Sequence, residues 1–175
     1  MVFKPSGDNL LTLNAKSGRD GLPLTNVKII IKHLLEGLNH LHTTCKIIHT
    51  DIKPENVCVT FKDEECSVKI MDLGNACCVG KKVSEPIQTR PYRCPEVILG
   101  AYFKANADIW STACMAFELA TGQLLFEPFP SSNYSRDEHH LALIIASIGI
   151  IPKEMALASK KFFLLKMVNF AGLLN

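Results

Sequence analysis

His49-Thr50-Asp51-Ile52-Lys53-Pro54-Glu55-Asn56, followed further along by Asp72-Leu73-Gly74, is the stretch on which the reading of this chain turns. The first segment stands between a helical pattern and a strand pattern, and the second comes directly after another strand pattern. Asp-x-Gly alone says little, because it is also a common turn. The spaced pair says more. One Asp can accept the proton of a hydroxyl, and an Asn and a second Asp offer the hard oxygen ligands that Mg²⁺ takes beside nucleotide phosphates. Such groups on one loop and at the end of the adjacent strand suit phosphoryl transfer. The bland alternative makes His49, Asp51 and Asn56 ordinary turn and cap residues. The motifs that follow in order weigh against it.

Outward from this loop, Val27, Ile30, Ile31, Leu34, Leu35, Leu38 and Leu41 recur at helical spacing between Leu24 and His42, with Pro23 placed to start the helix. Val57–Phe61 and Ser67–Met71 read as strands joined by a hairpin turn at Lys62–Glu65. Residues 72–104 read as loop, broken by Gly74, Gly80, Pro86, Pro91, Pro95 and Gly100. Asn106 is a candidate cap for a helix running to Thr121, with Gly122 as its left-handed terminator. That helix is apolar on nearly every face, which suits the middle of a core. Ser135-Arg136-Asp137-Glu138 matches a capping box for a helix continuing to Ile148 and ending at Gly149. The expected fold class is mainly α with a small β-ribbon and no doubly wound sheet.

The order His49-x-Asp51-x-Lys53-x-x-Asn56, then Asp72-Leu73-Gly74, resembles the catalytic loop and metal-binding motif of protein kinases. Thr89-Arg90-Pro91-Tyr92-Arg93-Cys94-Pro95-Glu96 is similar to the end of the activation loop in the branch holding the cyclin-dependent, MAP and SR-protein kinases. Asp108-Ile109-Trp110-Ser111 resembles the start of the central buried helix. Longer strings narrow the resemblance to the SR-protein kinases: Met1-Val2-Phe3, Ile47-Ile48-His49-Thr50-Asp51, Asp72-Leu73-Gly74-Asn75-Ala76-Cys77, Ile87-Gln88-Thr89-Arg90, Ala107–Gly122 and Tyr134–Glu138. The likeness covers roughly residues 1–150.

This resemblance implies a kinase-like C-lobe over residues 10–150, a hinge remnant at 1–9, an absent N-lobe and a divergent or truncated tail at 151–175. It implies ATP and Mg²⁺ as cofactors and serines of Arg/Ser-rich, splicing-type proteins as substrate. Asp51 would be the base, Lys53 would neutralise the transferring phosphate, and Thr89 would bond toward both. Asn56 and Asp72 would bind Mg²⁺, with Phe3, Lys4 and Ser6 facing the nucleotide. Arg90, Arg93 and Asp137 would serve the substrate side, and Asp108 would tie down the catalytic-loop backbone. The loop Lys at its position marks the serine/threonine form. Asp137 and Glu138 equally suit a helix N-terminus, where negative charge complements the macrodipole. Both readings of that pair stay open, with Glu138 the better capping residue.

The sequence departs from that family in several places. No Gly-rich phosphate loop and no strand Lys with its partner Glu stand in this chain, so tight Mg-ATP binding by it alone is not expected. The alternative function is an inactive remnant that still binds basic peptides. Glu96 is expected to lack the buried Arg that its position takes in kinases. The long spacer usual after the catalytic loop is replaced by a short turn, and Lys4 stands where a hinge Glu is usual. Thr50 replaces the Arg that most kinases use to bind an activation-loop phosphate, so activity should not depend on loop phosphorylation.

Composition fits this reading. The 175 residues, 47% apolar and 21% charged, suffice for one domain with a core, and a formal charge of +2 argues for neither nucleic acid nor a membrane surface. The seven cysteines contain no C-x-x-C pair, which predicts buried free thiols rather than disulfides or zinc. No apolar leader stands at Met1-Val2-Phe3-Lys4-Pro5, and an intracellular setting, cytoplasmic or nuclear, is expected.

Overall fold

The computed structural model describes residues 7–18, 20–62, 65–81, 83 and 86–159. Phe3, Lys4 and Ser6 lie outside them. A short strand β1 (Asp8–Asn9) leads into helix α1 (Leu10–Lys16), capped by the Asn9 side chain accepting from the Thr12 amide at 2.8 Å. Helix α2 spans Leu24–Thr43, and strand β2 (Ile47–Ile48) delivers the chain to the catalytic-type loop. Strands β3 (Val57–Lys62) and β4 (Glu65–Ile70) form the expected hairpin, antiparallel with Val57 opposite Ile70 and Lys62 opposite Glu65.

Two pairings were not legible in the sequence. β1 adds to the hairpin as a third antiparallel strand, with Asp8 opposite Val59. β2 pairs with β5 (Cys77–Cys78), Ile48 opposite Cys77. The expected loop 72–104 thus holds β5, a 3₁₀ turn at Leu73–Asn75, another at Arg90–Tyr92 and a short helix α3 (Pro95–Ile98). Two-residue strands and single turns are too short to leave a period in the sequence.

Helix α4 (Asn106–Thr121) runs through the middle, followed by α5 (Arg136–Ile148) and α6 (Lys153–Leu157). Val27, Ile30, Leu34 and Leu38 of α2 are buried at three- and four-residue spacing and share one core with Leu10, Val57, Met115, Leu119 and Leu141. Gly122 ends α4 in the left-handed conformation, φ 71°, as expected. Gly21 serves close approach: a Cβ there would stand 2.5 Å from the Ala120 carbonyl oxygen, where the chain runs against the end of α4. The Ser135–Glu138 capping box forms in full.

Three expectations are corrected. Asn106 does not cap α4 from outside; it is the first helical residue, and its amide nitrogen donates to Glu96 at 2.7 Å. Glu96 therefore has a partner, an uncharged one. α4 is not buried on every face, because Ile109, Ala113 and Phe117 form an exposed stripe. The thiols are free but not all buried. Cys94 and Cys114 are enclosed, whereas Cys45 and Cys78 are exposed. Among the described residues no helix is long and apolar enough to cross a membrane.

α5 brings His140 into the core, fully buried, with its ring 5.5 Å from Phe126, which in turn stacks on Trp110. Neither ring nitrogen has a hydrogen-bond partner. Burial, reinforced by the nearby Arg90 and Arg93 charges, pushes its pKa down to about 4. The folded protein thus holds His140 neutral, while the unfolded chain takes a proton near pH ~6.5. Its contribution to stability is present above that value and is lost as pH falls toward about 4. Urea melts at about pH 7.5 and about pH 5 should show a loss that His140→Phe largely removes. An equal loss in the variant would place the acid sensitivity elsewhere.

Candidate functional site

The loop after β2 is fixed from beneath. Asp108, in the first turn of α4, has no solvent exposure, and its carboxylate accepts the His49 amide at 2.8 Å and the Thr50 amide at 2.8 Å. The Nε2 of His42, near the end of α2, stands 2.7 Å from the same carboxylate. A buried carboxylate is tolerable only with partners of this kind. The Asp51 amide donates to Nδ1 of His49, which leaves Nε2 as the protonated nitrogen, and Nε2 donates to the Met71 carbonyl at 2.8 Å. The His49 ring therefore ties the loop to the end of β4.

On this platform Asp51, Lys53, Asn56 and Thr89 meet. The Thr89 hydroxyl donates to Asp51 Oδ1 at 2.6 Å, and the Thr89 amide donates to the same oxygen at 3.1 Å. Lys53 Nζ lies 2.9 Å from Asp51 Oδ2 and donates to the Thr89 hydroxyl at 3.0 Å. The Asn56 amide nitrogen donates to the Asp51 carbonyl at 2.9 Å. Burial raises the Asp51 carboxyl pKa, but the Thr89 and Lys53 donors outweigh it and hold the group below the usual carboxylate value. It is an ionised acceptor at neutral pH, as a base must be.

Asp72 stands apart from that cluster. It is exposed, in the left-handed conformation at φ 60°, and its carboxylate accepts the Gly74 amide at 3.2 Å. The Met71 amide donates to the Asn56 carbonyl at 2.8 Å, which sets the Asp72 turn beside the loop. With the Asn56 nitrogen directed at Asp51, its amide oxygen is the end left for a cation. One amide oxygen and one exposed carboxylate fit Mg²⁺, which binds through one or two protein oxygens and completes its shell with water and phosphate. Among the described residues no group of three His, Cys, Asp or Glu could enclose a metal unaided.

The protein kinase domain family matches residues 5–167. The serine/threonine-protein kinase SRPK of Physarum polycephalum is 38% identical over 92% of this chain and 50% of its own length. SRSF protein kinase 3 of mouse is 51% identical over 64% of this chain and 19% of its own, and the serine/threonine-protein kinase spk-1 of Caenorhabditis elegans is 59% identical over 50% and 9%. The chain belongs to the protein kinase family, in its SR-protein kinase branch. It spans half or less of the length of these curated relatives. The match to the Physarum kinase runs over 214 positions, more than the 175 residues here, so that kinase carries residues within the matched region that this one lacks.

Within this kinase domain the segment after Thr89 is organised by a residue that no sequence pattern singles out. Gln88 is buried at φ 67°, a left-handed conformation uncommon outside glycine. Its side chain accepts the Cys94 amide at 3.0 Å and donates to the Ala107 carbonyl at 2.8 Å and the Ser111 hydroxyl at 2.9 Å. Its carbonyl accepts both Nε and Nη2 of Arg93, which ties that side chain to the residue before Thr89. Arg90 pairs with Asp137 of α5. Of the two acidic residues, Glu138 caps the helix and Asp137 is held in that ion pair. Further in, the Tyr92 hydroxyl donates to the buried Glu118 at 2.6 Å.

Gln88→Ala removes three side-chain hydrogen bonds and keeps the strained backbone. It should cost about 2–4 kcal/mol in urea unfolding, by the scale for orphaned buried groups. Gln88→Gly loses the same bonds but relaxes the left-handed φ, and should recover ~1 kcal/mol of that loss. Equal stability of Gln88→Ala and the parent would show that these bonds do not hold the segment.

Proposed function

We propose that this chain carries the catalytic loop of an ATP- and Mg²⁺-dependent kinase that phosphorylates serines in Arg/Ser-rich proteins of the splicing type, in the cytoplasm or nucleus. The observation that supports it best is the closed cluster of Asp51, Lys53 and Thr89. An ionised carboxylate there is aimed by a hydroxyl and an ammonium, with Asn56 in the same cluster and the Asp72 turn tied to the loop through the Met71 amide. Asp51 takes the proton of the incoming serine hydroxyl. Lys53 lies where the transferring phosphoryl group builds up charge. Asn56 and Asp72 would hold Mg²⁺, which would supply charge neutralisation at the nucleotide phosphates.

The substrate reading draws on two things. One is the printed name of a relative, SRSF protein kinase 3. The other is the Arg90–Asp137 pair, in which the α5 carboxylate already holds a guanidinium at the edge of the loop. An Arg of a substrate peptide could exchange into that contact, since carboxylates bind guanidinium groups in two-pronged fashion.

Joined to the nucleotide-binding lobe and terminal helices of a related kinase, this segment should transfer phosphate from Mg-ATP to serine in an Arg/Ser-repeat peptide. Asp51→Asn should cut the rate by about 10²–10⁴, the scale for removing a positioned base. Peptide affinity should fall with added salt and again in Asp137→Ala. An Asp51→Asn enzyme as fast as the parent would remove Asp51 as the base. Equal affinity for an Arg-free peptide would leave a serine/threonine kinase without the Arg/Ser preference.

A further inference from the structure

Thr50 is an anomaly that the proposed chemistry does not use. It is 1% exposed, β-branched, and left-handed at φ 71°. For such a residue that conformation is an outlier, costing roughly 1–3 kcal/mol and kept only where surrounding contacts enforce it. Two contacts do so. The Thr50 amide is held by Asp108, and the Thr50 hydroxyl donates to the Asn75 carbonyl at 2.8 Å. Asn75 is the last residue of the 3₁₀ turn that Asp72 caps.

The turn bearing Asp72 is therefore pinned to the catalytic loop on both sides. Before it, the Met71 amide and carbonyl bond to the Asn56 carbonyl and the His49 ring. After it, the Asn75 carbonyl takes the Thr50 hydroxyl. The second pin is a single side-chain bond, and it forms part of the wall of a cavity of about 300 Å³ lined also by Asp51, Gln88 and Thr89. Without that bond the turn has room to move and water to replace the donor.

We propose that Thr50 is a positioning residue whose hydroxyl sets the Asp72 turn against the loop that carries Asp51. The inference rests on reading Asp51 as the base and Asp72 as a metal ligand, and it gives Thr50 a role separate from the Arg it replaces.

Amide hydrogen exchange of the full chain tests it without requiring activity. Thr50→Val keeps the shape and loses the hydroxyl; Thr50→Ser keeps the hydroxyl and loses the methyl. Exchange across residues 72–78 should quicken roughly threefold to tenfold in Thr50→Val, the range for one net hydrogen bond. It should stay at the parent rate in Thr50→Ser, with α2 unchanged in both. In the lobe-completed enzyme Thr50→Val should raise the Mg²⁺ concentration needed for half-maximal rate and leave the peptide KM alone. Parent-like exchange in Thr50→Val, or equal acceleration in Thr50→Ser, would overturn the proposal. So would acceleration of α2 together with 72–78, which would make Thr50 a residue of the whole fold. If exchange behaves as stated but Asp51→Asn is fully active, the kinase chemistry fails and the Thr50 tie stands.

Discussion

Asp108 has no contact with solvent, and its carboxylate is shared by the His49 amide, the Thr50 amide and the His42 ring. Removing one partner of a buried charge generally costs about 3–5 kcal/mol, far more than the charge contributes when satisfied. That asymmetry makes the arrangement a constraint: α4 can pack in the core only if the loop after β2 lies over its first turn. The backbone of that loop is then fixed, and Asp51 projects from a platform whose position is set by the core.

The same stretch of α4 anchors two more segments. Ala107 and Ser111 hold the Gln88 side chain, and Asn106 holds Glu96. Thr89 follows Gln88 directly, so its hydroxyl reaches Asp51 because Gln88 is seated on α4. Asp51, the Thr89 hydroxyl and the Arg93-bearing loop are referred to one rigid element, which is how a site gains geometric precision from a helix rather than from its own loops. His140 and Trp110 form the apolar counterpart on the α5 side, with ring nitrogens left without partners.

The sequence carried the long periodic elements and the candidate site residues, and it carried them for different reasons. α2, α4, the β3–β4 hairpin and the Ser135 capping box have enough length or a fixed enough spacing to show a period. Asp51, Lys53, Asn56 and Asp72 were legible as a spaced set whose residue types suit phosphoryl transfer, and Thr89 through the kinase resemblance. What stayed hidden depends on three-dimensional partners. Gln88 looks like any polar loop residue until Ala107, Ser111 and Cys94 surround it. Asp137 read as available until Arg90 reached it across 47 positions of chain. Asn106 has the residue type of a cap, but Glu96 claims its amide. β1 and β5 are two residues each and exist only through their pairing.

The measurement that bears most directly on this account is the titration of the Asp51 carboxyl, followed by ¹³C NMR, in the parent and in Asp108→Asn. In the parent the midpoint lies below the ordinary value of 3.8 because Thr89 and Lys53 are held against Asp51. The amide that replaces the Asp108 carboxylate cannot accept both loop amides, so the loop should loosen, the donors should withdraw, and the Asp51 midpoint should rise. An unchanged midpoint in a folded Asp108→Asn protein would mean that the loop holds Asp51 by itself, and that the buried carboxylate does not organise the site.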